Sequence, residues 1–210
     1  MSDPASAFRA LSPCALADAS TRDRVMDCGI RPLWMGMPRV AGPAYPVRCP
    51  PGDNLMLHAA IYRAPRGSVI VVQSDLDYAV AGGNVCAVAQ RNGVAAFVVD
   101  GVIRDLADVR ELRFPVFARG VMPIPGGKEK LDVIDGPVTC GGVAVSPGDM
   151  VIADEEGIVV VPVAQLDAVL KKAQARAAKD ATETLDAWEK AHHTRIDELL
   201  KKKNFSEPGT

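Results

Sequence analysis

Two β-branched runs, Ser68-Val-Ile-Val-Val-Gln73 and Val94-Ala-Ala-Phe-Val-Val99, each follow a segment with helical spacing. Apolar runs of this length without polar alternation are the pattern of strands buried on both faces, which lie parallel in a sheet with helices covering it. The helical segments are 54–63, led by Asp53 and stopped at Pro65-Arg66-Gly67, and 83–91, stopped at Asn92-Gly93. A third unit follows, with a helix over 105–112 and a strand at Pro115-Val-Phe-Ala118. Repeated helix-then-strand units define an α/β fold class.

Upstream lies a helical lead-in, in which Ser12-Pro13 starts a helix through Leu16 and Ala19. Between residues 31 and 51, Pro32, Pro38, Pro43, Pro46, Pro50 and Pro51 exclude a continuous helix and leave strands at 39–42 and 45–48. After Gly120 the texture becomes β-rich, with short strands at 143–145, 150–153 and 158–163 and turns at Ser146-Pro-Gly-Asp149 and Asp154-Glu-Glu-Gly157. Residues 163–203 read as one long helix, with Leu166, Leu170, Ala173, Ala177, Ala181, Leu185, Trp188, Ile196 and Leu199 near 3.6-residue spacing. Such a helix would be roughly 60 Å long, too long for a domain of this size to cover. Part of it is therefore expected to pack on another subunit or to break near His192. The expected division is an α/β domain over 1–162 and a helical extension over 163–210, at a subunit interface.

A formal charge of −2 gives no attraction to nucleic acid, and no basic, aromatic-bearing stretch offers a stacking platform. Aromatics make up only 5% of the chain, so small aliphatics must fill the core. The five cysteines, Cys14, Cys28, Cys49, Cys86 and Cys140, are scattered and form no Cys-x-x-Cys pair, and read as reduced, mostly buried side chains. No apolar run approaches the ~20 residues that cross a bilayer, and the expected location is the cytoplasm.

The chemistry-bearing stretch is Phe97-Val-Val-Asp-Gly-Val-Ile-Arg-Asp105, where the apolar run is expected to break at Gly101 and deliver Arg104 and Asp105 side by side at a strand's end. Open α/β sheets bind ligands there. A guanidinium grips a carboxylate or carbonyl oxygen, and a hard carboxylate suits Mg²⁺ or Mn²⁺. Gly82-Gly83-Asn84 precedes a helix, where free amides favour an anion. Each feature also has a plainer structural reading: a helix entry capped by Asn84, and an Asp near a helix N-terminus beside a surface Arg. Gly126-Gly-Lys-Glu129 lacks the spacing of a nucleotide phosphate loop. His192 and His193 point in different directions on a helix, His58 reads as a core or interface histidine, and Lys201-Lys202-Lys203 meets a helix dipole.

Gly52-Asp-Asn-Leu-Met-Leu-His58, Gly82-Gly83-Asn84, Val99-Asp-Gly-Val-Ile-Arg-Asp105, Phe114-Pro-Val-Phe-Ala-Arg-Gly120 and Ser146-Pro-Gly-Asp-Met-Val-Ile-Ala-Asp-Glu-Glu-Gly157 together resemble the RraA-like family, over a span from about Ser12 to Pro162. That family includes 4-hydroxy-4-methyl-2-oxoglutarate / 4-carboxy-4-hydroxy-2-oxoadipate aldolases. The resemblance implies a swivelling β/β/α fold, homotrimers or hexamers with sites between subunits, and a class II, divalent-metal aldolase that releases pyruvate and decarboxylates oxaloacetate. It implies that Asp105 holds Mg²⁺ or Mn²⁺, that Arg104 binds the 2-oxo acid, and that Gly82, Gly83, Asn84 and Val85 supply amides to the pyruvyl carboxylate. Lys128 falls where some members place a basic residue near the substrate's distal end. In one respect the chain departs from the pattern: some members carry an acidic residue in the anion loop that positions a water for proton transfer. Here the loop offers Gly83 and Asn84, and an amide is no base. The family also includes a protein regulator that binds and inhibits a ribonuclease, the alternative that needs surface rather than catalysis.

Overall fold

The computed structural model describes residues 4–206. Two helices open it, α1 (Pro4–Arg9) and α2 (Pro13–Ala19). Ser12 caps α2 by accepting the Ala15 amide at 3.1 Å, with Pro13 inside the first turn. Strands β1 (Arg31–Pro32) and β2 (Val40–Arg48) lead into three helix–strand units. These are α3 (Leu55–Ala60) with β3 (Val69–Gln73), α4 (Gly83–Arg91) with β4 (Ala96–Ile103), and α5 (Leu106–Leu112) with β5 (Val116–Val121). Strands β6 (Val138–Cys140), β7 (Val143–Val145), β8 (Met150–Asp154) and β9 (Gly157–Val161) follow, then helices α6 (Leu166–Thr182) and α7 (Leu185–Lys202).

Strands β2, β3, β4 and β5 lie side by side and parallel, in chain order. β1 borders β5 and the β8–β9 hairpin extends the sheet past β2, both antiparallel. The β-branched runs serve two cores at once. Ile70, Val72, Phe97 and Val99 pack with Leu57, Cys86 and Val109 of α3, α4 and α5. Val69, Val71, Ala96 and Val98 pack with Met26, Trp34, Val143 and Val160 on the other face. Both sets are buried, which is why these strands read as continuous apolar runs rather than alternating ones.

Several local expectations need correction. The strands expected at 39–42 and 45–48 are one strand, β2, whose residues Val40–Pro43 pair with β8 and Ala44–Arg48 with β3. Each half has one strand partner, the edge-like setting in which Pro43 and Pro46 are tolerated. The apolar run does not break at Gly101: β4 continues to Ile103, and its register with β5 shifts between Val99 and Val102. Gly101 is forced by crowding, since a Cβ there would collide with Ser74 and stand 2.8 Å from the Asp75 carbonyl oxygen. Strand β6, absent from the sequence reading, pairs with β7 around Gly141-Gly142, both at positive φ.

The helix over 163–203 is not continuous either. A 3₁₀ turn at Val163–Gln165 precedes α6, and Thr184, extended at φ −76° and ψ 153°, caps α7 by accepting the Ala187 amide at 3.2 Å. Thr182 turns its hydroxyl back to the carbonyls of Ala178 and Lys179, so the break falls between two threonines that favour helix ends. It does not fall near His192, which lies within α7 stacked on Trp188 at 4.5 Å between ring centroids. The chain forms two compact units, one through Ala173 and one from Gln174 onward. In the first, Val169 and Ala173 of α6 are buried; α7 buries none of its residues. Among the described residues no helix is long and apolar enough to cross a membrane.

Candidate active site

β4 ends at Ile103, and the next two residues carry the chemistry. The Arg104 amide donates to the Ala81 carbonyl at 2.9 Å, and the Val80 amide to the Val102 carbonyl at 3.0 Å, which zips the loop after β3 against the end of β4. Asp105 opens α5 in the left-handed region (φ 57°, ψ 41°), a conformation that aspartate tolerates better than most residues. Its Oδ2 accepts the Gly83 amide at 3.1 Å and lies 3.6 Å from Arg104 Nε. Both side chains remain about two-fifths exposed, at 42% and 41%.

Gly82 and Gly83 are required by close approach rather than by φ. Gly82 is ordinary extended backbone at φ −151°, but a Cβ there would run into Asp105 Oδ2. At Gly83 a Cβ would stand 2.8 Å from Asp108 Cβ. The glycines let the start of α4 meet the start of α5, so two helix N-termini and one carboxylate share a corner.

A cleft of about 80 Å³ is lined by Gly82, Asn84, Val85, Arg104, Asp105 and Lys128, together with Asn54 and His58. Six of the seven residues singled out in the sequence line this one cleft; Gly83 stands behind it and holds Asp105 through its amide. Arg104 and Lys128 against Asp105 leave the lining net positive, which favours an anionic ligand. A larger hollow of about 520 Å³, lined by Arg22, Asp27, Arg31 and Glu155 among others, contains none of these residues.

The sequence reading missed what holds Lys128 there. Asp53 is buried, 3% exposed, and its Oδ2 accepts the amides of Glu129 at 2.6 Å and Lys130 at 3.2 Å, while Oδ1 accepts Leu55's at 2.8 Å. Burial pushes the Asp53 carboxyl up, but the amides of Glu129, Leu55 and Lys130 outweigh it and hold the group below the usual carboxylate range. Asn54 Nδ2 donates to the carbonyls of Gly126 at 3.2 Å and Ala79 at 3.4 Å, joining the Lys128 loop to the loop after β3. Two acceptor-only partners fix the amide's orientation, leaving Asn54 Oδ1 buried without a partner. His58 is partly buried one turn further along α3, and burial, then the positive charge of Lys128, push its imidazole below the ordinary value. The i, i+4 spacing of Asn54 and His58, one face of one helix, is the signal that could have found them.

Among the described residues no group of three or more His, Cys, Asp or Glu side chains is arranged to hold a metal. Asp105 is the carboxylate of the cleft, and its Oδ1 has no hydrogen-bond donor among the described residues. A single free, hard oxygen fits Mg²⁺, which keeps several waters and takes further oxygens from substrate; it does not fit a caged structural ion.

A parallel α/β sheet whose strand ends present a guanidinium, a carboxylate and helix N-termini in one cleft has the general layout of open α/β folds, in which the crevice at the carboxyl ends of the strands is the place for a ligand. More particularly, the chain belongs to the RraA-like family, whose model, described as Aldolase/RraA, matches residues 13–160. It is 38% identical over 175 residues to a protein of Halalkalibacterium halodurans that carries the provisional name 4-hydroxy-4-methyl-2-oxoglutarate aldolase, covering 82% of this chain and 83% of that one. A Burkholderia multivorans protein of the same provisional name is 37% identical, over 65% of this chain and 84% of its own length. Among solved structures, an unusual member of the RNase ES inhibitor RraA family from Streptomyces coelicolor matches with a TM-score of 0.74 and 30% identity, covering 85% of this chain and 93% of that one. The RNA-processing inhibitor RraA from Thermus matches with a TM-score of 0.61 and 28% identity, covering 66% and 84%.

Proposed function

We propose that this protein is a divalent-metal-dependent lyase that cleaves 4-hydroxy-2-oxo acids, such as 4-hydroxy-4-methyl-2-oxoglutarate and 4-carboxy-4-hydroxy-2-oxoadipate, to pyruvate, and decarboxylates oxaloacetate. The observation that carries this reading is the corner where Gly82 and Gly83 bring the start of α4 onto Asp105, beside Arg104 and within one cleft with Lys128.

Asp105 would hold Mg²⁺ or Mn²⁺. When bound, the ion supplies Lewis acidity toward the 2-oxo carbonyl. Arg104 grips the 2-oxo acid with its planar fork and offsets the negative charge of the enolate as it forms. The amides of Asn84 and Val85, in the first turn of α4, hold the pyruvyl carboxylate. Lys128 meets the distal carboxylate, and Asp53 and Asn54 keep its loop in place. Breaking C3–C4 leaves the electron pair on the pyruvate enolate. In oxaloacetate the departing fragment is CO₂, so one site serves both reactions.

Sites for small organic ligands usually run to about 300 Å³ or more. The cleft of this one chain, at about 80 Å³, falls well short of that. A second copy of the chain, in a homotrimer or hexamer, would complete the site. The test is pyruvate release from oxaloacetate and from 4-carboxy-4-hydroxy-2-oxoadipate with Mg²⁺ and with EDTA, after subtraction of decarboxylation by free metal. Metal-dependent turnover supports the lyase. Its absence in an intact, Mg²⁺-binding oligomer favours the second reading, a protein-binding regulator, which the likeness to the two RraA inhibitor structures supports.

A further inference from the structure

We propose that His58 is the base that takes the hydroxyl proton of a 4-hydroxy-2-oxo acid in the cleft, a role that rests on the lyase reading above. Aldol cleavage cannot proceed until that proton leaves, and Gly83 and Asn84 of the anion loop cannot accept it. The other titratable groups lining the cleft are excluded by their chemistry. Arg104 and Lys128 are cations with no lone pair to offer. Asp105 has one oxygen engaged by the Gly83 amide, and the proposed function commits its other to the ion. Asn54 and Asn84 are amides. His58 is the remaining group of the lining that can accept a proton.

Its surroundings keep it able to do so. His58 stands on α3 one turn beyond Asn54, partly buried. Burial disfavours the imidazolium, and Lys128 adds to that; the Asp53 carboxylate acts in the opposite sense and is outweighed. Arg104 and Asp105, also in the lining, carry opposite charges. The result is a neutral imidazole at neutral pH, which is the state that a base requires.

In the step itself the unprotonated ring nitrogen takes the proton. The O–H pair becomes the C4 carbonyl bond, C3–C4 breaks, and its pair passes to the pyruvate enolate. The imidazolium then returns the proton to C3, releasing pyruvate and restoring His58. Oxaloacetate carries no such hydroxyl proton, so loss of CO₂ needs no base, and the enolate it leaves takes its C3 proton from solvent water rather than from His58.

The experiment compares wild type and His58→Gln on 4-carboxy-4-hydroxy-2-oxoadipate and on oxaloacetate, with Mg²⁺, across pH 5–9. Cleavage of the hydroxy acid should fall by about 10² or more in the variant, while oxaloacetate decarboxylation keeps most of its rate and reports that the cleft is intact. In wild type, cleavage should show an acid limb below the 6.5 of an ordinary histidine, absent from decarboxylation; this limb carries the test if the variant does not fold. Equal loss of both activities, unchanged cleavage, or a wild-type cleavage profile without the limb overturns the proposal. Wild-type protein inactive on both compounds refutes the lyase reading itself, and the role of His58 with it.

Discussion

Gly82→Ala separates the geometry of the site from the stability of the fold. The new methyl would overlap Asp105 Oδ2 and stand 3.1 Å from Arg104 Cγ and 3.2 Å from Asp105 Cγ, against an ordinary contact that begins at 3.4 Å. To clear it the carboxylate must swing by roughly 1 Å, away from the Gly83 amide that now orients it. Because Gly82 is at φ −151°, alanine brings no backbone strain. Because the Asp105 side chain is 41% exposed, it has room to retreat. The stability cost should sit at the low end of overpacking, about 1 kcal/mol, or a fall in Tm of about 2–4 °C for a chain of this length. A misplacement of about 1 Å at a reacting centre costs on the order of 10² in rate. Steady-state kcat/KM for pyruvate release and a thermal melt, read on the same preparation, should therefore diverge: activity down about 10²-fold, Tm down by no more than about 4 °C. Gly120→Ala is the control, since nothing lies within 4 Å of a Cβ there. Wild-type turnover in Gly82→Ala would refute the argument that this corner is where the chemistry happens.

Asp105→Asn should keep the fold, because asparagine also tolerates the left-handed conformation, yet bind Mn²⁺ much more weakly by electron paramagnetic resonance; unchanged affinity would move the ion elsewhere. Asp53→Asn removes a charged acceptor from two amides and should cost about 1–3 kcal/mol in urea unfolding at pH 7. The Asp53 carboxyl lies below its ordinary 3.8 in the folded state, so its stabilisation is complete above that pH and is lost as pH falls through the folded value. The gap between wild type and variant should accordingly narrow below about pH 4, and a constant gap would show that charge is not the cause. Burial pushes the thiols of Cys49 and Cys86 up to about 12, and that of Cys140 higher still, whereas Cys14 and Cys28 are exposed. A thiol reagent at pH 8 should titrate two groups in the native protein and five in denaturant; five rapid reactions in native protein would contradict the packing.

The parallel sheet was legible because both faces of β3 and β4 are covered, and a strand with no solvent face has no polar residues to interrupt its run. Arg104, Asp105 and the Gly82-Gly83 pair were legible for a similar reason: glycines before a helix and a cation–carboxylate pair after a strand are local signals. Asp53, Asn54 and His58 were not. Their importance comes from the loop around Lys128, distant in sequence, and nothing local reveals that a capping aspartate has its other oxygen turned to the amides of Glu129 and Lys130. Gly101 misled because a glycine in an apolar run can end a strand or admit a bulge, and the neighbour that decides, Ser74, belongs to another loop. The break between α6 and α7 was masked by helical periodicity on both sides of Thr182 and Thr184, which carry the stop in their hydroxyls rather than in a proline or glycine.

The most direct test of the central claim is the initial rate of pyruvate release from 4-hydroxy-4-methyl-2-oxoglutarate, titrated with Mg²⁺, for wild type and Asp105→Asn side by side. The rate should rise to saturation with Mg²⁺ in wild type, vanish with EDTA, and stay near background in the variant at any Mg²⁺ concentration. A wild-type rate indifferent to EDTA, or a variant that matches wild type, would contradict the account.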